Sequence, residues 1–411
     1  MAAAAVTVAR AAIPMAAAAA NAVIMADDAF LSIEKVRQSN GPGAAIDELL
    51  RELETRGELH RLFDAILLKK KFEMGLPLSR PTSFDNVPED RQLEFEEAYV
   101  AGARRVGEAF LAQNNIPQAW IYLRTIREPE RVAKALDGLV VGNGLPENVD
   151  DLISVALYER AHPVKGLELM LHSRGTCNTI TAFDQAVPQI SSEERLRGAE
   201  LLARHLYGEL FQSLCRDIER RGEAQFTGKT VREAITGRDW LFEDGNYHID
   251  VSHLGSVVRF ARFLTPQSRE LQTVLELCEY GMRLSPQFQF PADPPFDEYY
   301  KAHLHFFRIL ADDQRSEAIE YFQSRLQAAA EIEDRRLIAY VLVDLLVRIG
   351  KKNDAVVVAK EHLADLDESS GFSFAQLCEE GDRMDLYRET AQEKGDLVGF
   401  TAALLRDPSP K

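Results

Sequence analysis

Along most of the chain apolar residues return at every third or fourth position, and few stretches alternate in polarity. That spacing belongs to helices with one buried face, whereas strands need a period of two. The pattern predicts an all-α protein. Ile46, Leu49, Leu50 and Leu53 mark one helix in Ala44–Arg56, Gly57 interrupts it, and Leu59, Leu62, Phe63, Ile66 and Leu67 mark a second that reaches Phe72. So short a break predicts an antiparallel helical hairpin. Pro77, Pro81 and Pro88 predict a loop from Gly75 to Pro88. Two more helices are expected in Arg91–Arg127, parted at Asn114-Asn115-Ile116-Pro117, with Pro117 opening the second because its missing N–H is not needed there. A weaker hairpin, Leu152–Leu171, turns at Ala161-His162-Pro163.

Ser191 and Glu194 are spaced as a capping box ahead of a long stripe from Leu196 through Leu206 and Leu214 to Ile218, with Gly222 as the stop. Periodicity then lapses, predicting an irregular insertion at 222–251 between two helical halves, 26–221 and 252–405. Helices resume at Ser252–Leu264 and around Leu271–Met282, and continue to about Leu405 after the proline-rich connector Pro286–Pro295. The alanine-rich residues 1–25 lack the basic start and leucine-rich middle of an export signal, so they read as a floppy extension or a start placed upstream of Met25; 406–411 reads as a flexible tail.

Small residues recur where paired helices would cross. Val106-Gly107, Phe110, Ala119, Leu123 and Pro129 are followed later by Ala302, Phe306, Ile309, Ala318 and Phe322, and then by Leu342, Leu346, Gly350, Ala355 and Ala359. This spacing resembles the tetratricopeptide repeat, in which a Gly on the first helix admits the second, a large residue three positions on fills the groove, and a small residue on the second helix packs at the crossing. Gly107, Phe110 and Ala119 fit those roles. The pattern departs in chemistry: Ala103 and Val106 replace the expected Trp and Leu, Leu123 the expected Phe, and Val343 the Gly. Ala318 and Ala355 are 37 residues apart, near the roughly 34-residue period of the class, but 47 residues separate Ala119 from Gly166. The resemblance covers about a third of the chain. It implies an α-solenoid of antiparallel hairpins whose concave face binds a peptide or partner protein, a non-enzymatic scaffold without a cofactor.

Charge narrows the partners. With 65 acidic against 48 basic side chains the formal charge is −17, a surface that repels phosphate backbones and favours partners with basic segments. Nucleic acid is thus an unfavourable partner. The densest basic run, Lys69-Lys70-Lys71, reads as a solvated helix end. No stretch is long and apolar enough to span a bilayer. Cys177, Cys215, Cys278 and Cys378 are separated by 38, 63 and 100 residues, which fits buried reduced thiols of a cytoplasmic protein rather than a zinc knuckle or a disulfide scaffold.

Candidate chemistry is sparse. Gly228-Lys229-Thr230 has Glu223 where a phosphate-binding loop needs Gly, and a helix where it needs a strand, so a nucleotide site is rejected. His248, Asp250 and His253 lie within six residues in the irregular segment, where a divalent metal or an acid/base site could be built. The same residues also read as a helix cap with two hydrogen-bonded histidines. His172, Cys177 and His205 are candidates to converge on them, with Cys177 at the start of a helix that follows Gly175. An uncharacterised enzyme using this set is the alternative to the scaffold. His303 and His305 lie two apart on one helix, so they point to different faces and read as packing residues.

Overall fold

The computed structural model describes residues 28–141, 144–221, 226–289, 292–366 and 371–406. Among these there is no strand, and helices account for most of the chain. The readings of residues 1–25, the Gly222 stop and the 407–411 part of the tail lie outside the described residues. No helix of the described residues is long and apolar enough to cross a membrane. The chain forms two compact units, Met1–Leu169 and Met170–Lys411. The expected boundary stood instead near 221 and 222; the long helix that precedes it packs on the elements that follow.

In the first unit, helices Pro42–Arg56 and Leu59–Glu73 are parted by Gly57, whose φ of 68° gives the left-handed cap that ends the first. After the loop come Gln92–Ala112, Ile116–Leu123 and Pro129–Asp137, each packed on its neighbour in sequence. Two glycines on Gln92–Ala112 serve opposite neighbours. A Cβ on Gly102 would sit 3.1 Å from Ile66 Cγ2 of the preceding hairpin, and one on Gly107 only 2.6 Å from Leu123 Cγ of the next helix. Ala119, Leu123 and Val106 are fully buried at that crossing. Near the end of this unit, Val149–Ile153 runs into a wider π turn, Ser154–Tyr158, and Gly166 lies so close that a Cβ would meet the Leu157 backbone nitrogen at 2.8 Å.

The lysine run corrects an expectation. Lys71 is fully buried: its Nζ donates to the carbonyl oxygens of Arg80 and Ser83 at 2.6 and 2.7 Å and lies over the Phe95 ring. Lys69 pairs with Asp47 and Lys70 with Glu94. The run is a clasp holding the proline-rich loop to the hairpin, because unpaired loop carbonyls and a buried ammonium satisfy each other.

In the second unit the helix Pro163–Ala186 enters with a break at Gly175, where φ is 79°. Ser192–Arg220 follows, opened by the Ser191/Glu194 capping box with both of its hydrogen bonds formed. This helix packs against Val231–Ile235, Val251–Phe260, the 3-10 turn Ala261–Phe263 and Leu271–Arg283. Buried Glu276 ties three of them together, accepting from the Tyr207 hydroxyl at 2.6 Å and the Arg232 backbone N–H at 3.1 Å. From there on, helices Leu271–Arg283, Tyr299–Ala311, Arg315–Ala328, Ile332–Arg348, Lys352–His362, Phe374–Glu380, Met384–Lys394 and Leu397–Arg406 each pack on the next. Ala302, Phe306, Ile309, Ala318, Phe322, Leu342, Leu346, Ala355 and Ala359 are buried, and Gly350 makes the expected turn with φ of 79°. Gly281 supplies a crossing that the repeat pattern did not mark: a Cβ there would lie 2.4 Å from the ring of buried Tyr300.

The four cysteines are free, but they are not all buried: Cys177 is exposed and Cys215 half-buried, while Cys278 and Cys378 are buried. The segment 226–250 is less irregular than its sequence implied, because Thr230 caps the short helix Val231–Ile235 and a 3-10 turn covers Asp239–Gly245.

Close crossing makes a sign prediction. Replacing Gly166 by Ala improves intrinsic helix propensity by about 1 kcal/mol, yet it drives a methyl group into the Leu157 backbone. Net destabilisation of roughly 1–3 kcal/mol is expected by denaturant melting. Gly208→Ala, on a half-buried helical position where a Cβ would meet nothing within 4 Å, is expected to stabilise by roughly 0.5–1 kcal/mol in the same measurement.

Candidate functional site

Asp250 is a cap. Its Oδ1 accepts from the backbone N–H groups of Ser252 and His253 at 2.8 and 3.3 Å, which opens helix Val251–Phe260. These bonds hold its carboxyl below the usual range, that of the Ser252 side chain most strongly. His248 turns the other way, into the protein. Its backbone N–H donates to the Tyr280 oxygen at 2.8 Å, its Nδ1 lies 3.2 Å from that oxygen, and its Nε2 lies 3.4 Å from Asp217 Oδ2. The Tyr280 hydroxyl, already accepting from the backbone, donates to Nδ1, so Nε2 carries the proton that faces Asp217. Burial pulls the His248 pKa down against the opposing pull of Asp217. For Asp217, burial resists ionisation, but hydrogen bonds from Arg220 and His248 outweigh it and leave the carboxyl below its ordinary value.

The Asp217–His248–Tyr280 chain joins the long helix, the irregular segment and helix Leu271–Arg283. Its side chains are closed off: His248 and Asp217 are 4% and 6% exposed, and Tyr280 is wholly buried. Its physical role is to pin Asn246–Asp250 in place, with Phe242 against both rings. Sequence reasoning found His248 but not its partners, since Asp217 and Tyr280 are distant in the chain and lie on unbroken helical stripes.

The second cluster does not join the first. Thr176 Oγ1 lies 3.1 Å from His205 Nε2 and donates to Glu209 Oε2 at 3.1 Å, and His205 Nε2 is 3.4 Å from Glu209 Oε1. Cys177 follows the Gly175 break as expected and faces solvent. Among the described residues no group of three or more His, Cys, Asp or Glu side chains is placed to hold a metal ion. His172, Cys177, His205, His248, Asp250 and His253 are therefore not brought together as a ligand set.

A groove on the later helices has more to offer. It encloses about 810 Å³ between Tyr299–Ala311, Arg315–Ala328 and the start of Ile332–Arg348. Five carboxylates, Asp297, Glu298, Glu317, Glu320 and Asp334, line it with one guanidinium, Arg325. Arg325 is already engaged by Asp297 and by Glu298 at 3.6 Å, and Glu298 also meets Lys301 at 3.0 Å. Glu317, Glu320 and Asp334 have no ion pair among the described residues. The floor is aromatic: His305 stacks on Tyr321 with ring centres 4.2 Å apart and planes 13° from parallel. Burial lowers the His305 pKa, so the ring adds no cation at neutral pH.

The chain matches no known protein family and no curated protein.

On the other side of helix Tyr299–Ala311, His303 is 1% exposed and stacks on Phe296. Its Nδ1–H donates to the Tyr299 carbonyl oxygen at 2.8 Å, and burial pushes its pKa down to about 3 from the ordinary 6.5. Between those two values the unfolded chain binds a proton that the folded chain refuses, so stability falls as pH falls. His303 is expected to contribute a slope of up to about 1.4 kcal/mol per pH unit across that window. The unfolding free energy of the wild type relative to that of His303→Phe, measured from pH 7 to pH 4, should fall as the pH falls. Parallel curves would show that His303 takes up a proton in the fold as readily as in the unfolded chain.

Proposed function

We propose that this protein is a non-enzymatic interaction protein, a tetratricopeptide-like helical array whose groove at residues 294–338 receives a Lys- or Arg-bearing segment of a partner protein. The carrying observation is the charge of that groove, where Glu317, Glu320 and Asp334 face the opening without a cation of the protein's own. Carboxylates gathered along one concave surface without cations of their own attract an incoming ammonium or guanidinium. The overall charge of −17 steers the same class of partner toward the protein. Supporting the repeat reading, helices from Leu271 to Arg406 pack on their neighbours in sequence, and small or β-carbon-free residues lie at Gly281, Ala318 and Ala355. An array held by neighbour contacts leaves one face of each hairpin available for a ligand.

A fluorescent peptide of interspersed Arg, Lys and Gly residues tests the reading, with a Glu-substituted peptide as its control. The basic peptide is expected to bind saturably and to weaken as salt rises. The triple variant Glu317→Gln, Glu320→Gln, Asp334→Asn should lose roughly tenfold in affinity, at about 0.5 kcal/mol for each charge removed. Equal binding by wild type and variant would remove the groove from the function.

A further inference from the structure

A groove of about 410 Å³ lies in the first unit, between helix 28–40, the hairpin Pro42–Arg56 and Leu59–Glu73, and the loop residue Pro81. Ser32 donates to Glu48 at 2.5 Å and so fixes helix 28–40 against the hairpin. The lining is mostly apolar: Ala29, Ile33, Leu49, Leu53, Ala65 and Leu68 contribute to it, together with Phe30, which is 72% exposed. The charged residues on the lining are matched in pairs, Arg56 with Glu52 at 3.5 Å and Arg61 with Glu58 at 2.9 Å. The remaining one, Asp64, is exposed, where water screens it. A partner chosen by charge therefore finds no free cation and no buried carboxylate here, in contrast to the groove at 294–338. What this groove selects for is apolar surface without charge.

The chain itself carries such surface within reach. From Ala11 to Ala26 the sequence holds no charged residue, and its longest run of large aliphatic side chains, Val23-Ile24-Met25, ends four residues ahead of Ala29. An extended chain spans at most about 3.6 Å per residue, so Met25 is held within roughly 14 Å of Ala29 on the groove wall whatever path the backbone takes. At about 30 Å³ per water the groove has room for roughly fourteen non-hydrogen atoms, and the three side chains bring about eleven. A tether this short gives the run an effective concentration in the millimolar range, which a free apolar ligand has to exceed.

We propose that Val23-Ile24-Met25 seats in this groove and closes it, an apolar plug supplied by the chain itself. The plug keeps out free apolar ligands and a partner's apolar side chains until it is displaced, so access to the groove is governed by the segment ahead of Asp28. The groove at 294–338 plays no part in this, and the plug stands whether or not that groove binds a basic segment. A site occupied nine-tenths of the time by its own chain binds a competitor about tenfold more weakly than an open one.

Fluorescence titration of the full chain with the neutral apolar dye Nile red tests the proposal. The triple variant Val23→Ser, Ile24→Ser, Met25→Ser is expected to bind the dye roughly tenfold more tightly than the wild type. A peptide of residues 20–28, added to the triple variant, should displace the dye, and Leu49→Glu in that variant should abolish the gain. Positions 23–25 precede helix 28–40, so the triple variant and the added peptide decide the matter even where Leu49→Glu fails to fold. Equal dye affinity in wild type and triple variant, or a gain that persists when a folded Leu49→Glu protein is used, would overturn the proposal. So would wild-type dye binding that weakens as the protein concentration rises, for a second copy of the chain would then be what covers the groove.

Discussion

What the fold depends on is the closeness of helix backbones at a handful of crossings. At Gly107 a β-carbon would come within 2.6 Å of Leu123 Cγ, at Gly166 within 2.8 Å of a Leu157 backbone atom, and at Gly281 within 2.4 Å of the Tyr300 ring. Contact at that distance brings backbones and large neighbouring side chains into dispersion range over their whole length, and any side chain larger than hydrogen removes it. Alanines do the same work with slightly more room at 119, 318 and 355, all fully buried. The large residues around these points, Phe110, Tyr300 and Phe322, fill what the small ones leave open.

Neighbour-to-neighbour packing has a second consequence. Because each hairpin is covered by the next, polar residues collect on the faces left uncovered, and the groove beside Tyr321 collects carboxylates there. Elsewhere in the molecule polar groups are drawn inward, but with partners. Lys71 holds two loop carbonyls, Glu276 holds Tyr207 and a helix start, and His248 bridges Asp217 and Tyr280. Each joins elements that the apolar pattern alone would leave loosely placed, which is what a satisfied buried polar group can do at little net cost.

Helices were the legible part of the sequence. Periodicity placed the Pro42–Arg56 and Leu59–Glu73 pair, the Ser191 capping box and the Asp250 cap, since each depends on residues within four positions of one another. Gly107 was visible because its spacing to Phe110 and Ala119 is local. Gly281 was not, for its partner Tyr300 lies beyond a proline-rich connector. The Lys71 clasp was misread for a related reason: three consecutive lysines look solvated until the loop that returns over them is known. The groove was hidden as well, because Asp297, Glu317 and Asp334 belong to three separate elements and only their packing makes one acidic wall. Long-range pairing, rather than residue type, set the limit of what could be read.

Amide hydrogen exchange read residue by residue tests the crossings most directly. The backbone N–H groups of Ala119, Ala318 and Ala355 donate to Asn115, Gln314 and Lys351 close to helix starts, where fraying would ordinarily expose them. If the tight crossings hold the fold together, the amides of Ala318 and Ala355 exchange as slowly as those of Leu206 and Leu210 in the middle of the long helix, and that of Ala119 as slowly as that of Val106 in the middle of Gln92–Ala112, each through unfolding of the whole unit it belongs to. Exchange at the rate of frayed helix ends at all three positions would contradict the account.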